Sequence, residues 1–173
     1  SKIFKLITHH HGTISNRKKT ISEFSLAMTN IRSLCPNGKK ADLKLRTICI
    51  INSDIHIIVD SRLDEIGLKK WRKSQKQVFS KYHIFGTFSK ERGVTILAKK
   101  SIEVSISKVV KVDAKNMITF RMSTAAGTTT DVCAVYAPSD VDSPKFFENA
   151  VESVNRDTCP NRLIIGDFNA TMS

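Results

Sequence analysis

The apolar positions along the chain change period several times, and each change marks an element. Residues 26–31 form a short apolar run that predicts a strand, and Cys35-Pro36-Asn37-Gly38 is a turn cluster. Ala41, Leu45 and Ile48 then recur at helical spacing, which predicts a helix over residues 40–51. Asn52-Ser53-Asp54 ends it, and the β-branched run Ile55–Val59 predicts a buried strand. Leu68, Trp71, Gln75 and Val78 space one basic amphipathic helix after that strand. Strands follow at about 82–88, 93–98, 103–112, 117–123 and 130–136, with Ala125-Ala126-Gly127 turning a hairpin. Ser143-Pro144 fits an N-cap followed by Pro at the first helical position, and Phe147, Ala150, Val151 and Val154 continue that helix on one apolar face. Cys159-Pro160-Asn161 stops it, and residues 162–165 predict a last strand running into Gly166-Asp167-Phe168-Asn169. Residues 1–25 show no clean period and read as a weakly structured leader. The mixed order of elements predicts an α/β fold of sheets covered by helices.

Composition narrows the function. The chain has 173 residues, 28 Lys+Arg against 16 Asp+Glu and a net charge of +12. That balance favours a polyanionic partner, nucleic acid first, because each cation placed on a phosphate releases a counterion. The basic residues concentrate in residues 1–40 and 64–100, and the last 35 residues are acidic. No apolar run approaches the roughly 20 residues of a membrane helix. The four cysteines, Cys35, Cys49, Cys133 and Cys159, contain no C-x-x-C pair. Cys49 and Cys133 sit among apolar residues and read as small core hydrophobes. Reduced cysteines and no convincing signal peptide give nucleus or cytoplasm as the expected location. The three histidines at 9–11 read as solvated.

Polar residues fall where strands end. Asn30 follows residues 26–29, Asp60 follows Ile55–Val59, Tyr136 closes the run 131–135, and Asp167 and Asn169 follow residues 163–165. Strand ends are rigid and can meet at one edge of a sheet. Asp60 and Asp167 then offer two carboxylates to a hard cation such as Mg²⁺, which binds few protein oxygens and keeps waters. Asn169 can orient a water or a phosphate oxygen, and Tyr136 can hydrogen-bond a phosphate or protonate a leaving oxygen. Strand-end Asp and Asn also serve as plain turn residues.

Five segments carry a resemblance: Thr29-Asn30-Ile31-Arg32-Ser33-Leu34, Asp54 to Leu63, Arg92-Gly93-Val94-Thr95-Ile96-Leu97, Ala134-Val135-Tyr136-Ala137-Pro138, and Leu163 to Ala170. In this order over residues 26–173 the chain resembles the endonuclease/exonuclease/phosphatase superfamily, and more narrowly the apurinic-type endonuclease domain of non-LTR (LINE-like) retrotransposons. The resemblance implies a DNase I-like sandwich, two sheets flanked by helices in four α/β/β/α layers. It implies a Mg²⁺- or Mn²⁺-dependent phosphodiesterase that nicks DNA, with a reverse transcriptase module encoded elsewhere in the parent element. Asn30 would lie near the metal, Asp60 would bind it in place of the family's usual Glu, and Arg62 would meet substrate phosphate. Tyr136, Asp167 and Asn169 would be catalytic, the last two orienting the attacking water and stabilising the transition state. The family domain continues beyond the position that matches Ser173, with a late Asp and a terminal Asp-His pair. No histidine follows position 83, so the resemblance implies a domain lacking its C-terminal part, with weakened or lost activity. The alternative is a catalytically dead nucleic-acid-binding module or a retroelement remnant.

Overall fold

The computed structural model describes residues 2–7, 23–34, 39–137, 139, 143–155 and 159–169. Nine strands are described: β1 (Lys2–Ile7), β2 (Glu23–Asn30), β3 (Ile55–Val59), β4 (Tyr82–Gly86), β5 (Val94–Lys99), β6 (Val104–Asp113), β7 (Met117–Thr124), β8 (Thr129–Tyr136) and β9 (Asn161–Asp167). Helices α1 (Lys39–Ile51), α2 (Glu65–Ser74) and α3 (Lys76–Phe79) fall between β2 and β4, and α4 (Ser143–Asn155) between β8 and β9. The strands form a five-stranded sheet in the order β1-β2-β3-β5-β4 and a four-stranded sheet in the order β6-β7-β8-β9.

Strand alternation explains the layers. Ile55, Ile57 and Val59 of β3 point one way, into a core shared with Leu26 and Met28 of β2 and with Ile118, Phe120, Val132 and Ala134 of the other sheet. Ile58 points the opposite way and packs with Leu45 and Ile48 of α1 and with Leu68 and Trp71 of α2. The second sheet repeats this logic. Cys133 and Val135 turn outward under Phe146, Ala150 and Val154 of α4. Four layers result, α/β/β/α, as the resemblance implies.

Several elements depart from the sequence reading. Lys2–Ile7, without visible period, is a strand paired antiparallel to β2, which itself starts at Glu23. The three histidines at 9–11 lie outside the described residues. The helix expected through Val78 is two pieces, because Gln75 leaves helical geometry at ψ 39° and starts α3. Trp71 and Phe79 still pack together at 5.3 Å across that break. The buried face of α4 is Phe146, Ala150 and Val154, with Val151 exposed. Phe147 instead stacks on Phe168, the ring between Asp167 and Asn169, at 5.3 Å. Cys133 is buried as expected, whereas Cys49 is half-exposed. Among the described residues, no helix is long and apolar enough to cross a membrane.

Two parallel pairings set the position of everything polar. β2 runs parallel to β3, with Asn30 beside Val59, and β8 runs parallel to β9, with Tyr136 beside Asp167. Gly166 makes the second pairing possible at this point, since a Cβ there would lie 1.9 Å from the Val135 carbonyl oxygen.

His56 is buried on β3, with its ring nitrogens against the hydroxyls of Thr29 at 2.9 Å and Ser53 at 3.2 Å. Burial lowers its pKa from 6.5 to about 4. The unfolded chain takes up this proton near pH 6.5, and the folded chain only near 4. Acidification across that window therefore favours unfolding, and about 3 kcal/mol of stability should be lost between pH 6.5 and 4. Urea denaturation against pH should show this loss, and His56→Asn should flatten the curve over the same window.

Candidate active site

The polar strand ends collect at one end of the sandwich. Asn30 closes β2, Asp60 follows β3, Tyr136 closes β8 and Asp167 closes β9. A hydrogen bond from Asn30 Nδ2 to Asp167 Oδ2, 2.6 Å long across 137 residues of sequence, links the ends of the two sheets. The other oxygen of Asp167, Oδ1, accepts from the backbone N–H of Asn169 at 3.3 Å. Asn30 Oδ1 accepts from the Arg32 backbone N–H at 3.2 Å. Both side chains are thus fixed from both ends.

Asp60 sits deeper, 3% exposed at the end of β3. Arg62 pairs with it through two parallel bonds, Nε to Oδ1 at 2.9 Å and a terminal nitrogen to Oδ2 at 3.3 Å. The Arg62 side chain remains 48% exposed. The expected phosphate-contacting arginine is therefore also the ion-pair partner of the expected metal-binding carboxylate. The pairing with Asp60 raises the already high Arg62 pKa.

Tyr136 is half-buried between these groups. Burial raises its pKa, and the negative charges of Asp60 and Asp167 raise it further, against the opposing pull of Arg62 and Arg92. Its phenol stays protonated well above neutral pH and remains a donor. Asn169 lies in the loop after β9, next to Phe168. Its Nδ2 donates to the Ala137 carbonyl at 2.7 Å, and Ala137 N–H donates to the Asp167 carbonyl at 2.8 Å. In this geometry Asn169 clips the β9 loop to the β8 loop.

The backbone here is unusual. Arg32, Ser33, Asp60, Arg62 and Asn169 all have positive φ, between 41° and 85°. None is glycine, and such residues persist only where their surroundings hold them. Ser33 N–H donates to the Asp60 carbonyl at 2.8 Å, and Leu34 N–H to that of Ser61 at 2.6 Å. Arg62 N–H donates to the Arg92 carbonyl at 2.8 Å, and Thr95 Oγ1 to Ser61 Oγ at 3.0 Å. Gly93, at φ 118°, lets this loop close, because a Cβ would sit 2.9 Å from Ser61 Oγ.

Two contributors carry no motif signal. Lys44 of α1 donates through Nζ to the carbonyls of Ile31, Arg32 and Ser33, at 2.8, 3.1 and 2.8 Å, and so gathers the loop after Asn30. Asn116, in the turn before β7, accepts the Tyr136 N–H at its carbonyl at 2.8 Å. Its Oδ1 is the buried side-chain polar atom without a hydrogen-bond partner among the described residues. A spacing of Lys44 from Ile31 or of Asn116 from Tyr136 follows no local rule, so only the tertiary structure reveals either.

No family model matches the sequence, and no curated protein matches it. Solved structures do match by shape. D. rerio TDP2 complexed with a single-strand DNA product superposes with a TM-score of 0.61 at 13% identity, over 86% of this chain and 61% of that one. ANGEL2, a 2′,3′-cyclic phosphatase, gives 0.58 at 16% identity, over 88% of this chain and 54% of that one. A D. rerio TDP2 humanized by 14 mutations gives 0.55 at 12% identity, over 74% and 54%. The fold is DNase I-like. At these identities the likeness is one of fold alone, and the chain spans 54% to 61% of the length of these structures. The DNase I-like sandwich carries the strand-end cluster at one end of its two sheets.

The ring of Tyr136 offers a direct probe of that cluster, because the chain has only two tyrosines. In a Tyr82→Phe background, ultraviolet titration should place Tyr136 ionisation above its usual value. Asp167→Asn should bring it part of the way down. A midpoint unmoved by Asp167→Asn would show that this carboxylate does not face the phenol.

Proposed function

We propose that this chain is a metal-dependent phosphodiesterase acting on nucleic acid, a DNA-nicking endonuclease of the retrotransposon type. The observation that carries the reading is the Asn30–Asp167 bond between the two sheets, at the end of the sandwich where Asp60 and Tyr136 also stand. Its basic charge of +12 suits a phosphate backbone. The likeness to TDP2 held on a DNA product supports the same substrate class. In this reading the nick would supply an end to a reverse transcriptase module of the parent element.

Among the described residues, no three His, Cys, Asp or Glu side chains are gathered as a metal site. The Asp60 and Asp167 carboxylates and the Asn30 side-chain carbonyl nevertheless place oxygen acceptors at this end of the fold, the ligand type that Mg²⁺ or Mn²⁺ accepts while keeping most of its waters. Asp60 would be the principal ligand and Asn30 a neighbour. A bound cation would supply Lewis-acid stabilisation of charge on the phosphate.

The chain's own groups divide the remaining work. Asp167, held by Asn30 and by the Asn169 N–H, accepts a hydrogen bond from the attacking water and aims it. Tyr136, kept protonated by burial and by its two carboxylate neighbours, donates to a phosphate oxygen. Arg62, half-exposed on Asp60, meets the next phosphate along the strand. Asn169 acts by positioning Asp167 through the clip to Ala137.

One observation favours a second reading, a catalytically dead nucleic-acid-binding module. Arg62 engages both oxygens of Asp60, which neutralises the expected metal ligand. The two readings separate in a supercoiled-plasmid nicking assay with Mg²⁺. The catalytic reading predicts open-circle product that EDTA abolishes, and a loss on the order of 10²–10³ in rate for Asp167→Ala. Unchanged nicking by Asp167→Ala would overturn it, and salt-sensitive binding without any nicking would support the module.

A further inference from the structure

We propose that the opposite end of the sandwich carries a second nucleic-acid surface, a cationic groove that takes single-stranded polynucleotide and performs no chemistry. The groove, about 940 Å³, opens between the edge strands β4 and β6 beside α2 and α3. Arg72, Lys76, Lys99 and Lys100 are among the residues that line it. It adjoins a second hollow of about 660 Å³ that shares Tyr82, Lys99 and Lys100 and adds Lys81.

The charge there is unbalanced. Among the described residues, no Asp or Glu lines either hollow. Lys99 is matched by Asp54 at 3.2 Å. Arg72, Lys76, Lys81 and Lys100 are exposed and have no carboxylate partner among the described residues. Four unmatched cations beside a groove are complementary to a phosphodiester backbone.

The walls are of a different kind. Half-buried Tyr82, Ile84 and Ile106 line the interior, and Val109, 45% exposed, stands at the rim. An aromatic and apolar floor flanked by cations accepts unpaired bases while the cations hold the backbone. A duplex hides its bases and would meet the cations alone. The choice of a single strand rests on that pairing of walls and rim.

The groove is remote from the strand-end cluster. On β5, Val94 lies beside Val59 at the cluster end and Ala98 beside Ile55 at the other end. The five steps from Val94 to Lys99 span roughly 17 Å. This inference therefore needs no catalysis and stands whether or not the cluster hydrolyses anything.

The test is fluorescence anisotropy of a labelled oligo-dT with the whole chain, in EDTA, across a series of salt concentrations. Arg72→Glu/Lys100→Glu should weaken binding at least tenfold and make the salt slope shallower by about 1.4, the value for two lost single-strand phosphate contacts. Arg46→Glu/Lys145→Glu changes net charge equally on α1 and α4, and should change affinity less than twofold. Equal losses for the two pairs would reduce the effect to overall charge and overturn the groove. An equal loss on a duplex of the same length would overturn the preference for a single strand. Displacement by polyglutamate as effective as by oligo-dT would reassign the surface to an acidic protein. Should the Glu pair fail to melt cooperatively, Arg72→Gln/Lys100→Gln carries the same comparison with half the charge change.

Discussion

The hydrogen bond from Asn30 to Asp167 depends on nearly everything else in the molecule. Asn30 ends β2 in one sheet, and Asp167 ends β9 in the other. Their side chains can meet only if the two sheets pack face to face in one relative position. The shared core of Leu26, Ile57, Phe120 and Ala134 fixes that position. The two parallel pairings then bring the four carboxyl ends to the same edge. Loops beyond those ends are held as well, by Lys44 on three carbonyls and by Phe168 stacked on Phe147. A cluster of positive-φ residues survives there because so many bonds over-determine it.

Much of this was legible in the chain. Strand ends can be read from where an apolar run stops, and Asn30, Asp60, Tyr136 and Asp167 each sit close to such a stop. Helical faces were less certain. In α4, Phe147 and Val151 share a helical spacing with Ala150 and Val154, yet Phe146 is the residue turned to the sheet. Adjacent phenylalanines make both phases plausible from periodicity, and the docking of α4 selects one. Strand β1 escaped because Lys2 and Lys5 interrupt its apolar residues, and its pairing with β2 is a long-range choice.

Partnerships were harder still. Arg62 lies two residues from Asp60, and positive φ at both residues accompanies the paired geometry of the two side chains. No sequence spacing anticipates that turn. Asn169 belongs to the most specific motif in the chain, and its bond to the Ala137 carbonyl follows no sequence spacing. Motifs name which residues gather, and the backbone decides which of them face solvent. The far groove has no motif at all. It arises where β4 and β6 become neighbouring edges although 17 residues separate Gly86 from Val104 in the chain.

The two ends differ in charge. At the strand-end cluster both signs meet, with Asp60 and Asp167 beside Tyr136 and Arg62 and Arg92 opposing them. The charged residues described as lining the groove at the other end are all cationic. The account rests on Asn30 and Asp167 acting as one unit between the sheets. Its most direct test is a double-mutant cycle in single-turnover hydrolysis of a labelled oligonucleotide, using Asn30→Ala, Asp167→Asn and the pair. A double variant no slower than the worse single variant is the predicted result. A double variant whose loss equals the product of the two single losses would contradict the account.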